Sequence, residues 1–268
     1  MTMIERTIPW ARPASRAPSS TRLVSQYIDV DRITMHTKVS AGPIPVGRPP
    51  VVLVHGLVVS SRYMEPLAEC LATDTRVFAP DLPGYGRSDK PRGTTDVPSL
   101  ASSLDRWMEA VGLEQAIIVA NSFGCQIAAH LAATYPARVS ELVLLGPMVE
   151  PSARNALVLA ARGLANVRFE PASLGWIIAQ DLWAMGVPRA LSLIYTMLTD
   201  HIEVTLPHVR ARTHIVRGER DTLASGSWIR TLIGVTPIGE SAEIPGAGHA
   251  LNYNAPGRVA TLVRSLIH

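Results

Sequence analysis

Hydrophobic and polar positions along the chain follow two different periods. Short, almost uninterrupted apolar runs predict buried strands, and apolar residues at helical spacing follow several of them. The runs lie at 50–54, 76–79, 116–120, 142–145 and 213–217, and the helical segments at 61–72, 99–111 and 123–135. Buried strands that alternate with amphipathic helices are typical of a parallel sheet covered on both faces. We therefore predict an α/β fold with a doubly wound, mostly parallel sheet.

Two segments depart from this alternation. Residues 23–30 and 33–39 read as two short strands around Asp31-Arg32, which predicts an antiparallel hairpin leading the sheet. Residues 148–208 contain only helix-like segments, at about 153–166, 172–185 and 188–199, which predicts an all-helical cap inserted after the sixth strand. The expected organisation is a flexible tail at 1–22, a core at 23–147 and 209–268, and a cap at 148–208.

Composition narrows the class of protein. A chain of 268 residues with 47% hydrophobic residues can form one α/β domain with an inserted subdomain. No apolar run reaches the ~18 residues that cross a bilayer, so no membrane span is expected. Residues 1–22 contain four arginines and one glutamate, which account for the whole net charge of +3. A nucleic-acid groove is therefore not expected, and without a secretory apolar core in the tail we predict a cytoplasmic protein.

The two cysteines belong to no C-x-x-C pair, so they predict no zinc site. Cys70 falls in a helical pattern, and Cys125 follows the turn described next. A reactive thiol at Cys125 is the alternative, but a small apolar residue packed beneath that turn is the preferred interpretation. The oligomeric state stays open.

Ser122 stands between an apolar strand and a helical segment, in Ala120-Asn121-Ser122-Phe123-Gly124. A sharp strand-to-helix turn presents a nucleophilic hydroxyl and needs small residues on both sides, usually as G-x-S-x-G. Gly124 meets that need, and Ala120 differs from the pattern by one methyl group. The alternative is an ordinary helix cap, since serine favours that position.

Three further motifs follow predicted strands, and a histidine in a glycine-rich loop comes after them. They are the His55-Gly56 turn after 51–54, the loop Asp81–Ser88, Gly218–Asp221 after 213–217, and Gly246-Ala247-Gly248-His249. From about Val51 to its C-terminus the chain resembles the α/β-hydrolase family, whose nucleophile, acid and histidine follow in this order.

The resemblance implies a Ser122–Asp221–His249 triad, with backbone N–H groups of Leu57 and Phe123 as an oxyanion hole, and neither metal nor cofactor. His249 would act as general base, and Asp221 would hold its tautomer. Glu150, just beyond the sixth strand, is the rival acid. Asp221 is preferred because Gly218-x-x-Asp221 resembles the usual motif.

The substrate is expected to be a small molecule with an apolar or aromatic part, because the cap segment is rich in apolar side chains. The candidate pocket residues are His55, Trp176, Trp183 and Tyr195, although a histidine in the His-Gly turn more often braces the loop. These features favour hydrolysis of esters, thioesters or lactones.

Two further functions stay open. The turn around Ser122 and the segment Leu145-Gly146-Pro147 resemble the corresponding segments of carbon–carbon hydrolases that cleave aromatic ring-fission products. The chain departs from those enzymes at Leu57–Ser61, where they carry glycines, and at Ala250, where they carry an aromatic residue. They also need a cap arginine, for which Arg154, Arg162, Arg168 and Arg189 are candidates. The other function is a triad-bearing receptor with slow turnover.

Overall fold

The computed structural model describes residues 23–42, 47–93 and 95–267, in which eight strands form one sheet. The strands are β1 (Leu23–Val30), β2 (Ile33–Ser40), β3 (Val51–Val54), β4 (Val77–Pro80), β5 (Ala116–Asn121), β6 (Val139–Leu145), β7 (Arg212–Gly218) and β8 (Gly239–Ile244). Their order is β1-β2-β4-β3-β5-β6-β7-β8. β2 pairs antiparallel with β1 and β4, and the pairs from β4 to β8 are parallel. The predicted leading hairpin and mostly parallel sheet are confirmed.

The central strands are buried on both faces, which explains their continuous apolar sequence. In β5, Ile118 and Ala120 belong to one core cluster, whereas Ile117 and Val119 belong to the cluster on the opposite face. Successive side chains of a strand point to opposite faces, so a strand between two helical layers has no solvated side.

Ten helices accompany the sheet in the described residues. They are α1 (Ser61–Leu71), α2 (Val97–Ala110), α3 (Gly124–Thr134), α4 (Ala156–Val167), α5 (Ala172–Met185), α6 (Val187–Thr199), α7 (Ile202–Thr205), α8 (Gly226–Val235), α9 (Leu251–Asn254) and α10 (Pro256–Arg264). Helices α2, α3 and α8 contribute to the core on one face, and α1, α9 and α10 to the core on the other. The sheet is therefore doubly wound, as predicted.

The segment between β6 and β7 is helical, and α5 has the predicted bounds. Side chains of the core domain hold these helices: Arg62 of α1 pairs with Asp181 at 2.5 Å, and Gln126 of α3 donates to the Met197 carbonyl at 3.0 Å. A fold with cap helices after the sixth strand is thus confirmed. The exact division of core from cap stays a prediction, and the expected flexible tail at 1–22 lies outside the described residues.

β8 is not predicted by the apolar pattern, because Gly239–Ile244 contains two glutamates and a serine. It is the edge strand beside β7, where one side of the ladder is unpaired and polar side chains reach solvent. Within the described part of the chain, no helix combines the length and apolarity required to cross a bilayer.

Candidate active site

Ser122 lies in a strained turn between β5 and α3. Its backbone φ is +59°, in the left-handed region that side chains with a Cβ rarely adopt, and its N–H donates to the Leu145 carbonyl at 2.9 Å. A Cβ on Gly124 would lie 2.5 Å from the His55 carbonyl oxygen and 2.8 Å from that of Val54. The glycine therefore lets the start of α3 pack directly against the end of β3, which is the packing that the sequence motif requires.

Backbone strain is concentrated at this edge of the sheet. Four non-glycine residues have positive φ among the described residues, and three of them follow the ends of β3, β5 and β6: Val58 (+50°), Ser122 (+59°) and Val149 (+67°). Each such conformation costs about 1–3 kcal/mol and persists only where the surrounding structure imposes it. The carboxyl end of the central strands is therefore the place where this fold stores strain.

Asp221, in the loop after β7, holds His249 in the loop after β8. The His249 Nδ1–H donates to Asp221 Oδ2 at 2.9 Å, and Asp221 Oδ1 accepts the N–H groups of Leu223 and Ala224 at 2.8 and 3.0 Å. Burial alone would raise the pKa of Asp221, but the charge and hydrogen bond of His249, with these N–H groups, keep it below its ordinary value. The aspartate is therefore ionised, and its second oxygen fixes the histidine tautomer.

Burial alone would lower the pKa of His249. The Asp221 carboxylate and the hydrogen bond to it, together with the Glu170 carboxylate, instead hold that pKa above its ordinary value. His249 is 7% exposed and Ser122 8%, so both residues are buried.

Gly146, directly after β6, lies beside this pair. Its φ is +56°, and a Cβ there would lie 2.9 Å from both Asp221 Oδ2 and His249 Nδ1. We expect Gly146→Ala to break the Asp221–His249 hydrogen bond, because the methyl group would occupy the space beside both atoms. The measurement is the downfield proton resonance of His249 Nδ1–H, which should disappear. Gly163→Ala, where an added Cβ meets no atom within 4 Å, should leave that resonance unchanged.

One cavity of about 270 Å³ contains both Ser122 and His249 in its wall. The Ser122 hydroxyl donates to Met148 Sδ at 3.0 Å, and His249 Nε2 has no hydrogen-bond partner within the described residues. Hydrogen bonds between a nucleophile and its base are often loose in an enzyme without substrate. The hydroxyl and the imidazole therefore face one space, and the hydroxyl is engaged by a weak sulfur acceptor.

The N–H groups of Leu57 and Phe123 are free donors at the same place. Neither has a hydrogen-bond acceptor among the residues that the structure describes. Leu57 lines the cavity, and a Cβ on its neighbour Gly56 would lie 3.1 Å from Ser122 Cβ. Phe123 directly precedes α3, where the helix dipole favours negative charge.

Three of the predicted pocket residues do not line the cavity. Trp183 is 90% exposed, Tyr195 70% and Trp176 67%, and all three lie on the outer surface of α5 and α6. Their prediction as pocket residues is wrong, because an apolar sequence does not indicate which face of a helix is covered. The apolar wall comes instead from other residues, namely Leu57, Val59, Val167, Leu174, Ile178 and Leu223.

His55 is also not in the cavity wall, so this pocket prediction is wrong as well. Its Nδ1–H donates to the Gly56 carbonyl at 3.0 Å, and its Nε2 accepts the Leu82 N–H at 3.1 Å. Burial lowers its pKa, which keeps the ring neutral. Both ring nitrogens are used to hold the loop after β3, in agreement with the alternative that this histidine braces the loop.

The carboxylate of Glu150, the alternative candidate for the triad acid, contacts other residues than His249. It pairs with Arg162 at 2.5 Å and accepts hydrogen bonds from Ser225 at 2.5 Å and Ser152 at 3.0 Å. These contacts connect α4 to the start of α8. Asp221, not Glu150, is the carboxylate in contact with His249.

Four residues near the site were not predicted from the sequence: Asn121, Met148, Gly146 and Glu170. Their contacts with Ser122, with His249 or with the residues beside His249 join segments that are distant in the chain, and only the Gly146 glycine carried a local signal. Cys125 is buried with its pKa raised by burial, and its Sγ lies 3.5 Å from two backbone carbonyls. It packs beneath the turn, as interpreted. No group of three potential metal ligands occurs among residues 23–42, 47–93 and 95–267.

Comparisons with known proteins agree with this architecture. Residues 49–168 match a family described as alpha/beta hydrolase fold. Abhydrolase domain-containing protein abhd-5.2 of Caenorhabditis elegans is 32% identical over 123 residues, which are 44% of this chain and 28% of that protein. The 1-acylglycerol-3-phosphate O-acyltransferase ABHD5 of Sus scrofa is 35% identical over 102 residues, 37% of this chain and 29% of that protein. The matched regions thus span less than a third of these relatives.

Solved structures extend the similarity to most of the fold. A bacterial membrane phospholipase A has a TM-score of 0.75 at 23% identity, over 91% of this chain and 85% of its own. Est816, described as an N-acyl homoserine lactone degrading enzyme, has a TM-score of 0.76 at 21% identity, over 90% of this chain and 100% of its own. The fold and the position of Ser122 define an α/β protein with a serine in the sharp turn between a strand and a helix. The chain therefore has the α/β-hydrolase fold, and the match to that family's model covers residues 49–168.

Proposed function

We propose that the protein is a serine hydrolase that cleaves carboxylic esters, thioesters or lactones with an apolar part, through an acyl-enzyme on Ser122. The observation that carries the proposal is the shared cavity: a hydroxyl on a strained turn and an imidazole held by a buried carboxylate line the same space. A hydroxyl is a weak nucleophile at neutral pH and needs such a base beside it.

The first step is proton transfer from Ser122 to His249. The hydroxyl leaves Met148 Sδ and donates to the free Nε2 of His249, while Nδ1–H stays on Asp221. Ser122 Oγ then forms a bond to the carbonyl carbon, and the carbonyl oxygen becomes an oxyanion. The Leu57 and Phe123 N–H groups would stabilise this charge. One such donor typically contributes about 3 kcal/mol to lowering the barrier.

The intermediate then collapses. The bond from the carbonyl carbon to the alkoxide or thiolate breaks, His249 returns its proton to that leaving group, and the acyl group stays on Ser122. A water molecule attacks the acyl-enzyme with His249 again as base, which releases the acid and restores the serine hydroxyl. Every proton passes through the imidazole, so no metal is needed.

The size and lining of the cavity indicate a short apolar acyl or alcohol part. Its volume of about 270 Å³ is just below the ~300 Å³ at which pockets for drug-sized ligands begin. The names of several similar proteins describe chemistry at ester, lactone or other acyl bonds, as in the phospholipase A, the lactone-degrading enzyme and an esterase from Thermogutta terrifontis. They support acyl chemistry as the reaction class.

The contacts made by the cap arginines favour ester hydrolysis over carbon–carbon hydrolysis. Arg154 pairs with Glu203, Arg162 with Glu150, and Arg189 donates to the Pro91 carbonyl, while Arg168 stacks on Phe169. None of them lines the cavity, whereas the carboxylate of Glu170 does. A substrate carboxylate would thus meet a negative charge and, among the described residues of the lining, no Lys or Arg, which opposes the ring-fission products.

The test is a rapid-mixing experiment with p-nitrophenyl acetate and butyrate. We expect a burst of p-nitrophenol equal to the enzyme concentration, then steady turnover with kcat on the order of 1 to 1,000 per second. Mass spectrometry during the burst should find the acyl group on the peptide that contains Ser122. Folded protein that releases no p-nitrophenol would contradict the proposal, and a single slow turnover would instead support the receptor function.

A further inference from the structure

The loop that carries His249 is held from two sides. On the core side, Asn121 Nδ2 donates to the carbonyl oxygens of Leu145 at 3.0 Å and His249 at 3.2 Å. Asn121 Oδ1 in turn accepts the Tyr63 hydroxyl at 2.7 Å. The residue before the candidate nucleophile thus fixes the backbone of the candidate base, through contacts that all belong to the core.

On the other side the loop is held by Glu170, which lies between α4 and α5. Its Oε1 accepts the backbone N–H of Ala250, the residue after His249, at 2.9 Å, and the Asn166 amide at 2.9 Å. Its Oε2 accepts the Asn254 amide at 2.7 Å. A Cβ on Gly248 would lie 2.5 Å from Oε1, so this carboxylate rests directly on the glycine before His249.

Glu170 also lines the cavity that contains Ser122 and His249. Two negative charges act on the imidazole: Asp221 from the loop after β7 and Glu170 from the turn between α4 and α5. Both raise the pKa of His249. Tyr63 lines the cavity from α1 and is neutral, because burial and these two carboxylates raise its pKa. Of the other charged groups at the loop, Glu219 accepts the Gly246 N–H at 2.7 Å, and Arg220 lies over the Phe169 ring.

We propose that Glu170 is a positioning residue, through which the cap sets both the orientation and the charge environment of His249. The inference rests on the proposed function in that it assigns His249 the role of base. Asp221 and His249 lie in the loops after β7 and β8, so their contact involves no residue of the α4–α5 segment. Glu170 contacts the loop only while the α4–α5 segment is seated on it. Displacement of that segment would therefore remove two hydrogen bonds, those from the Ala250 N–H and the Asn254 amide, and one negative charge from the surroundings of the base.

Glu170→Gln separates the charge from the hydrogen bonds. The glutamine oxygen can accept from Ala250 and Asn166, and the Asn254 amide can turn so that its oxygen, which has no partner within the described residues, accepts from the new NH₂ group. Glu170→Ala removes both the charge and the hydrogen bonds. Glu219→Gln is the matched control, because Glu219 also accepts a backbone N–H of this loop but does not belong to the cap.

The measurement that does not depend on turnover is an NMR titration of the His249 ring. We expect Glu170→Gln to lower the His249 pKa by about half to one pH unit, because a negative charge that favours the imidazolium is lost. Glu219→Gln should leave it within about 0.2 units of the wild type. An unchanged His249 pKa in Glu170→Gln would overturn the proposal, even if the enzyme proves to be an active hydrolase.

The second readout is the pH profile of kcat/KM for p-nitrophenyl butyrate. The base must be neutral to accept the serine proton, so activity falls as the pH decreases through the His249 pKa. Glu170→Gln should keep its activity to lower pH by the same shift, with a plateau within about three-fold of the wild type. Glu170→Ala should lose about ten- to a hundred-fold of the plateau kcat, because the loop is no longer fixed.

The outcomes distinguish the two proposals. If Glu170→Ala keeps the wild-type plateau while its fold is intact, the positioning role is wrong. If the wild type itself does not turn over but the titration shifts as expected, the proposed function fails and the assignment of Glu170 stands. If both variants titrate and react like Glu219→Gln, Glu170 is a structural contact only.

Discussion

Replacing Ser122 with alanine is expected to eliminate the p-nitrophenol burst and to reduce kcat by about six orders of magnitude. The reason is chemical: without the oxygen atom, no acyl-enzyme can form, and only the cavity and the backbone donors remain. Stopped-flow absorbance at the enzyme concentrations used for the wild type measures the burst directly.

The fold should tolerate this change. Alanine and serine both carry a Cβ, so the strained φ of +59° is equally costly in each. The lost oxygen makes one hydrogen bond to a side chain, to Met148 Sδ, and a sulfur acceptor is weak. We therefore expect the free energy of unfolding, from urea denaturation, to change by less than about 1 kcal/mol.

Ser103→Ala is the control, because Ser103 lies in α2 and donates to the Ser99 carbonyl within the same helix. It should keep the burst amplitude and the turnover of the wild type. A Ser122→Ala variant that retains most of its rate while folded would show that the nucleophile is another group.

Asp221→Asn is expected to lower kcat by about four orders of magnitude. In the wild type, Asp221 Oδ1 accepts two backbone N–H groups, and Oδ2 faces His249. The two backbone donors will hold the single oxygen of an asparagine, so its NH₂ group must face His249 Nδ1. That nitrogen must then accept, and the proton moves to Nε2. The imidazole would present a donor to Ser122 where it must present an acceptor.

The matched control is Glu150→Gln, which removes the charge of the rival carboxylate. Glu150 pairs with Arg162 and Ser225 and has no contact with His249 in the described structure. The expected result is a kcat within about three-fold of the wild type, measured in the same assay. A large loss in Glu150→Gln together with a small loss in Asp221→Asn would assign the acid to the loop after β6.

Much of the fold is encoded locally. The apolar runs of β3, β5 and β6 predict buried strands because these strands lie between two helical layers, and α5 begins and ends where its spacing predicts. β8 is not predicted by the apolar pattern, because polar side chains at the edge of the sheet interrupt that pattern. Prediction from pattern therefore succeeds where both faces are covered, and fails at the edge.

The contact between Asp221 and His249 is implied by the resemblance to the α/β-hydrolase family, which rests on the motifs Gly218–Asp221 and Gly246–His249. The sequence by itself determined the buried strands of the sheet and the serine turn, and its resemblance to the α/β-hydrolase family indicated that Asp221 and His249 meet. Only the tertiary structure decided that Trp176, Trp183 and Tyr195 face outward, that Met148 lies against the Ser122 hydroxyl, and that Gly146, Asn121 and Glu170 lie around the His249 loop. The physical reason is the same for both sets of residues. How the helices pack decides which face of a helix is covered, and it also decides contacts such as that between Glu170 and Ala250, 80 positions apart. No local sequence pattern records that packing.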